Sequence, residues 1–387
     1  MVSDVRVLAV SSMGGAGHLL PLLPFLDAAR RRGDAAAVLA PSTMADQLRH
    51  LDAELFLGDE PPEEVVAPIR ELLAVAPPEQ ATLLAERELF ARFAAGALLP
   101  AVRAAITSWH PDLLLREPCE YASAVALPPD ARAATVAIGS AAGEARCLEV
   151  AAPVLEEQRP GLVEKIRSVP YLTSLPASLD PSPWPVTVRY RRPARAPSGP
   201  LPDFWGGRRG PLVYLTLGTV TGYLAGATEL YRALVDAVAD LPVDALLTTG
   251  RHLDPVSIGP TPANVHVEAW LDQTAVLGEA DLVVCHGGSG TVWGSLAAGV
   301  PLVVVPAFAD QAANGRLVAE AGAGLLVETP GGEDGRRHLA GRDEVPLIRQ
   351  AVGTVLADHR YRDAARELAT ELSAAQPVEE VLAGLGS

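Results

Sequence analysis

Lysine is almost missing from this chain: Lys165 is the single one among 31 Lys and Arg residues in 387. Acidic residues number 47, which leaves a formal net charge of −16. A nucleic-acid surface needs clustered cations to displace counterions from phosphates, so this balance excludes that class of partner. It also disfavours docking on anionic membranes. Cysteine is scarce as well. Cys119, Cys147 and Cys285 are odd in number and form no C-x-x-C pair, which excludes a disulfide framework and a zinc ribbon. No apolar run approaches the roughly 20 residues of a membrane-spanning helix. No basic-then-apolar leader precedes the first strand-like stretch at residues 5–10. A cytoplasmic protein without membrane or nucleic-acid partners is expected, with a homodimer allowed for.

What is there reads as globular. Hydrophobic residues make up 49% and charged residues 20%, and a chain of this length exceeds one ordinary core, so two domains are expected. Strand-like apolar runs at 6–10, 36–39, 112–115 and 134–138 alternate with helical patterns at 19–32 and 98–108. The same alternation restarts with strands at 212–217, 244–248, 265–267, 282–285 and 302–305. Between the two series lies Arg191-Arg192-Pro193-Ala194-Arg195-Ala196-Pro197-Ser198-Gly199-Pro200, and proline at that density continues neither a helix nor a central strand. The expected organisation is a domain over 1–190, a proline-rich linker over 191–208, and a second domain over 209–387 that includes the C-terminal helices. Each is an α/β, doubly wound, Rossmann-like unit, the pair facing across a cleft.

The most informative stretch is Cys285-His286-Gly287-Gly288-Ser289-Gly290-Thr291. A buried strand meets a glycine-rich turn and a helix start, which aims free backbone N–H groups and a helix dipole at one point, a geometry suited to phosphate. Past the next strand come Asp310, Gln311 and Asn314, polar groups at the strand ends where open α/β sheets bind ligands. In the first half, Met13-Gly14-Gly15-Ala16-Gly17-His18 lacks the G-x-G-x-x-G spacing, and the second strand ends without an acidic residue for a ribose, so a nicotinamide site is disfavoured. His18 sits where a helix begins. The dipole there is expected to lower its pKa and keep the imidazole neutral, as a general base requires. Glu117, after the strand at 112–115, is a candidate to orient it, with Glu120 as the alternative. Residues 59–88 are rich in proline and glutamate and read as surface loops and short helices.

With these residues in view, the chain resembles the two-domain (GT-B) nucleotide-sugar glycosyltransferases, the family that holds plant UDP-glycosyltransferases and bacterial antibiotic glycosyltransferases. Trp270-Leu271, the His286 to Thr291 motif, Gly299-Val300-Pro301, Pro306, Asp310-Gln311 and Asn314 carry the resemblance, with Leu217-Gly218-Thr219 and Gly17-His18…Pro21…Pro24. The resemblance implies that Trp270 stacks on the donor base and Leu271 touches its edge. It implies that Thr219, His286, Gly288, Ser289, Gly290 and Thr291 hold the pyrophosphate, and that Asp310 and Gln311 bind sugar hydroxyls. His18 would take the acceptor's proton with Glu117 behind it, giving an inverting transfer. Asp272-Gln273 stand where many members have Pro-Gln, and no ribose-gripping Glu follows Gly290. These departures favour the bacterial branch: a dTDP-linked (deoxy)sugar donor and the hydroxyl of a polyketide or aromatic aglycone acceptor. No D-x-D occurs, and no metal or cofactor is expected beyond the nucleotide-sugar co-substrate. A sugar-nucleotide epimerase or a cell-wall or lipid glycosyltransferase is the enzymatic alternative. A non-catalytic auxiliary protein that binds nucleotide sugars is the alternative of another class.

Overall fold

A computed structural model of the chain describes residues 5–386 except 14–15, 77, 129, 194, 220, 224–225, 251–252 and 329–338. Gly14 and Gly15 of the first glycine loop, Ala194 of the proline-rich stretch and Val220 of the later turn lie outside the described residues. The chain divides into two compact units, Met1–Pro193 with Ala375–Ser387, and Ala194–Ala374.

The first unit contributes β1 (Arg6–Val10), β2 (Ala35–Pro41), β3 (Glu54–Gly58), β4 (Leu113–Arg116), β5 (Ala133–Val136), β6 (Tyr171–Thr173) and β7 (Thr187–Arg191). The second contributes β8 (Leu212–Thr216), β9 (Asp244–Thr248), β10 (Val265–Glu268), β11 (Leu282–Cys285), β12 (Leu302–Val304) and β13 (Gly324–Leu326). A last short strand, β14 (Gln376–Pro377), pairs with β7. Every described pairing is parallel. The order is β14-β7-β6-β5-β4-β1-β2-β3 in one sheet and β10-β9-β8-β11-β12-β13 in the other.

Parallel strands covered on both faces are apolar at every position, because no residue looks at water. In β1, Leu8 and Val10 enter one core cluster while Val7 and Ala9 enter the cluster on the opposite face. In the second unit Val213, Leu215, Leu282 and Val284 pack against the helix Ala227–Val238 through Leu230, Leu234 and Val238.

Three features depart from the expectations. The helix anticipated at 19–32 is split into Ala16–Leu19 and Leu23–Arg32, with Pro21 in the break and Pro24 at the second start, where its missing N–H costs nothing. The Pro- and Glu-rich region holds helices Glu63–Val75 and Pro78–Leu83 and an 11-residue π-type stretch, Leu84–Ala94. That stretch runs on into the helix Ala95–Trp109. The span Gln80–Trp109 is long and apolar enough to cross a membrane by length and composition alone. Its Leu89, Ala91, Ala94, Leu98, Val102 and Ala105 are buried among protein side chains. Finally, the second domain does not run to residue 387. The helix Val378–Gly386 buries Val378, Val381 and Leu382 in the same cluster as Phe25 and Leu26 of the first unit. The proposed linker is likewise divided, since Arg191 still belongs to β7 while Ser198 donates to Asp272 Oδ2 at 2.7 Å in the second unit.

Candidate active site

Both sheets reverse their winding at one place. In the first, the chain runs outward from β1 through β2 and β3, then restarts at β4 on the other side of β1. In the second, the same reversal falls between β8 and β11. Loops leaving the carboxyl ends of such strands diverge and open a crevice. His18 and Glu117 lie at the first of these places and Thr219 and His286 at the second, while Trp270 and Leu271 follow β10 and Asp310 and Gln311 follow β12.

In the first unit, β1 leads into Ser11, Ser12 and the loop to His18, and β4 leads directly into Glu117. His18 Nδ1 lies 3.2 Å from Glu117 Oε1. The nitrogen is shielded from solvent and the contact lies off the line of an ideal hydrogen bond. The Glu117 carboxylate is itself fixed by surrounding donors. Oε1 accepts from the Ser12 N–H at 3.0 Å and from the Ser12 hydroxyl, and Oε2 accepts from the Cys119 N–H at 2.7 Å. Glu120 is spent elsewhere. Its Oε1 accepts from Ser123 N–H at 2.8 Å at the start of the helix Ala122–Ala126, and Arg116 Nε donates to its carbonyl at 2.6 Å.

The electrostatics of His18 differ from the dipole-based expectation. Burial opposes a charge on the ring and is the largest single influence. Glu117, with help from Glu86 and Glu144, outweighs it, so the pKa is raised above 6.5. The reason for the reversal is local. Ala16–Leu19 is a single turn with His18 in its last positions, so it presents no helix start to the ring, and the Glu117 carboxylate decides the direction. Glu117 moves the other way: burial disfavours its charge, but His18 and Ser12 together hold its pKa below 4.5.

Two further carboxyl groups surround the imidazole and were not legible in the sequence. Glu86, at the start of the π-type stretch, is 6% exposed and burial pushes its pKa up to about 7. Phe90, on the same stretch, places its ring 5.5 Å from the imidazole. Glu144 accepts from the Ile138 N–H at 2.8 Å, from the Gly139 N–H and from the Tyr171 hydroxyl. Burial pushes its pKa up to about 8.

In the second unit, His286 follows β11 and is 8% exposed. Burial lowers its pKa to about 4, a contact with the Thr216 backbone pulling weakly the other way, so the ring is neutral at physiological pH. It fits only because its neighbours lack side chains. A Cβ at Gly218 would stand 2.8 Å from Nε2, and one at Gly288 2.4 Å. Gly287 turns the chain at φ +90°, where a Cβ would also meet the Gln311 carbonyl at 2.6 Å. Beyond it the helix Ser289–Ala297 begins without a side-chain cap. The Thr291 N–H is already engaged by the Gly288 carbonyl at 3.0 Å, which leaves Ser289 and Gly290 as the first outward donors. Thr219 is exposed at the end of β8. Trp270 is 48% exposed at the end of β10, a large ring left open to water, with half-buried Leu271 beside it.

The loop after β12 is tightly organised. Gln311 Oε1 accepts from the Ala307 and Phe308 N–H groups at 2.8 and 2.9 Å, so its carbonyl shapes the loop and its amide NH₂ is the end left for other partners. Asp310 is exposed. Its Oδ2 accepts from Ser289 Oγ at 3.1 Å and from Asn314 Nδ2 at 2.9 Å, and Asn314 also donates to the Gly287 carbonyl at 2.9 Å. Asn314 thus ties the phosphate-type turn to the acidic loop. Ala309, just before Asp310, holds φ at +53°. A strained non-glycine backbone of this kind concentrates at functional sites, and nothing in the identity of an alanine announces it.

Residues 232–385 match the family model for the erythromycin biosynthesis protein CIII-like C-terminal domain. The chain is 30% identical to the elloramycin glycosyltransferase ElmGT of Streptomyces olivaceus over 98% of this chain and 97% of that protein. It belongs to the antibiotic glycosyltransferases of that family. The L-demethylnoviosyl transferase of Streptomyces niveus is 29% identical over the same shares of the two chains. The fold of this glycosyltransferase is also that of the spinosyn rhamnosyltransferase SpnG. SpnG, solved with thymidine diphosphate and with spinosyn aglycone, gives TM-scores of 0.77 and 0.78 at 20% and 21% identity. Those matches cover 99% of this chain and 100% of SpnG.

Proposed function

We propose that this glycosyltransferase moves a deoxysugar from a dTDP-linked donor to a hydroxyl of a polyketide or aromatic natural product, with inversion at the anomeric carbon. The observation that carries the reading is the His18–Glu117 pair, 3.2 Å apart at the winding reversal of the first sheet. His18 takes the acceptor's proton as its oxygen attacks, and the Glu117 carboxylate stabilises the imidazolium that forms. A raised histidine pKa strengthens the base, provided the pH lies above it.

The second unit serves the leaving group. As the sugar–phosphate bond breaks, negative charge grows on the pyrophosphate, and donors already in place stabilise it without reorganising. The Ser289 and Gly290 N–H groups, the Thr219 hydroxyl and the neutral His286 ring are those donors in this reading, with Thr291 supporting the first turn of the helix. Trp270 stacks on the thymine, beside Leu271, and Asp310 with the Gln311 amide engages sugar hydroxyls. A thymidine donor is supported by SpnG, which binds thymidine diphosphate on the same fold. A natural-product acceptor is supported by the elloramycin glycosyltransferase ElmGT and by SpnG, solved with spinosyn aglycone.

The test is His18→Ala assayed for both donor binding and turnover. Affinity for dTDP should stay unchanged, while turnover with a cognate acceptor falls at least about a hundredfold, the contribution of a positioned base. Turnover preserved in the variant would refute the assignment.

A further inference from the structure

One side chain beside the base has no part in the chemistry above. The segment Glu117–Glu120 folds back on itself, with the Glu120 N–H donating to the Glu117 carbonyl at 3.0 Å and the Cys119 N–H to Glu117 Oε2 at 2.7 Å. This turn sets the Cys119 thiol against the pair. One ligand atom from each of His18, Glu117 and Cys119 lies within 4.8 Å of the other two. Thiol, imidazole and carboxylate are the donor types that Zn²⁺ takes, and three protein ligands with one position open is the arrangement of a reactive zinc site. His18 Nδ1, one of the candidate donors, is shielded from water and has no aligned hydrogen-bond partner among the described residues. Cys119 is 9% exposed, so an ion reaching it is largely sheltered from bulk water.

We propose that His18, Glu117 and Cys119 form a binding site for a borderline divalent cation of the Zn²⁺ class, and that occupation of this site switches the transferase off. The switch rests on the reading of His18 as the base. A neutral imidazole has one in-plane lone pair. A cation bound at either ring nitrogen takes it and leaves the other nitrogen carrying its proton, so the ring cannot accept another. On binding, the Cys119 S–H bond breaks, its proton passes to water, and the thiolate bonds the metal; no oxidant or reductant is involved. Apart from its backbone N–H, Cys119 is outside the proposed catalytic machinery, so removing the thiol should spare the uninhibited reaction.

The experiment uses metal-free full-length enzyme and its Cys119→Ser variant, with Zn²⁺ affinity measured by competition with a chromophoric chelator and turnover measured across the same titration. Wild type should bind one Zn²⁺ that the variant binds at least about tenfold more weakly, as loss of a ligand demands. Turnover of wild type should fall as that site fills and recover on chelation, while the variant keeps its basal rate and resists inhibition. Co²⁺ offered in place of Zn²⁺ should give wild type, and not Cys119→Ser, a thiolate-to-metal charge-transfer band, which reports the ligand without relying on catalysis. Equal Zn²⁺ affinities in the two proteins, or no such band in wild type, overturn the site. Cys119-dependent binding that leaves turnover untouched overturns the switch, while the His18→Ala assay separately decides the role given to His18.

Discussion

Replacing Glu144 by Gln isolates the cost of holding a carboxyl group dry near His18. Gln keeps the shape and can still accept from the Ile138 and Gly139 N–H groups and meet the Tyr171 hydroxyl. It removes only the ability to ionise. Burial raises the Glu144 pKa from 4.5 to about 8. At 1.36 kcal/mol for each tenfold change in acidity, that distance corresponds to a ceiling of about 5 kcal/mol. The folded pKa is the higher one, so the unfolded chain releases this proton first. The stabilisation is therefore complete below pH 4.5 and drains away as the pH climbs toward 8. Urea unfolding of wild type and Glu144→Gln at pH 5, 7 and 9 should show the variant gaining on wild type as pH rises, by a few kcal/mol across the range. The Glu144→Gln protein should itself still lose some stability as the pH rises, because Glu86 behaves alike with a pKa of about 7. Two stability–pH curves that run parallel would refute the burial argument.

Two other perturbations test neighbouring claims. Glu117→Gln removes the charge that outweighs burial at His18, so the acid limb of the kcat/KM profile should move to lower pH while kcat drops by about ten- to a hundredfold. An unmoved limb would show that Glu117 does not set the base. Gly287→Ala forces a side chain into φ +90° and against the Gln311 carbonyl at 2.6 Å, so thermal unfolding should report a loss of about 2 kcal/mol or more. A melting temperature equal to wild type would mean that the turn is not as constrained as its geometry demands.

The sequence was legible where one physical cause dominated. β11 is buried on both faces, and an unbroken apolar run says so without help from the rest of the chain. The Gly287-Gly288 turn was legible because only glycine permits that path. Legibility failed where tertiary context decides. Glu86 lies in a stretch whose composition reads as surface, yet Tyr121 and the π-type winding enclose it. β14 spans two residues and exists through pairing with β7. The direction of the His18 pKa could not be had from a nearby helix start, since Glu117, remote in the chain, lies 3.2 Å from the ring and outweighs burial. The helix at the C-terminus was visible as a short last helix over 378–385, but a helical pattern does not name the surface it will cover.

That last helix has a practical consequence for rebuilding the enzyme. Because Ala375–Ser387 returns to the first unit, the second unit is a cassette spliced into the first, with a seam at either end. A chimera joined at the proline-rich stretch alone would graft a foreign tail onto Phe25, Leu26 and β7, and would disturb the half it meant to keep. Exchange at two seams, after Pro193 and before Ala375, carries the native tail along and leaves that packing intact.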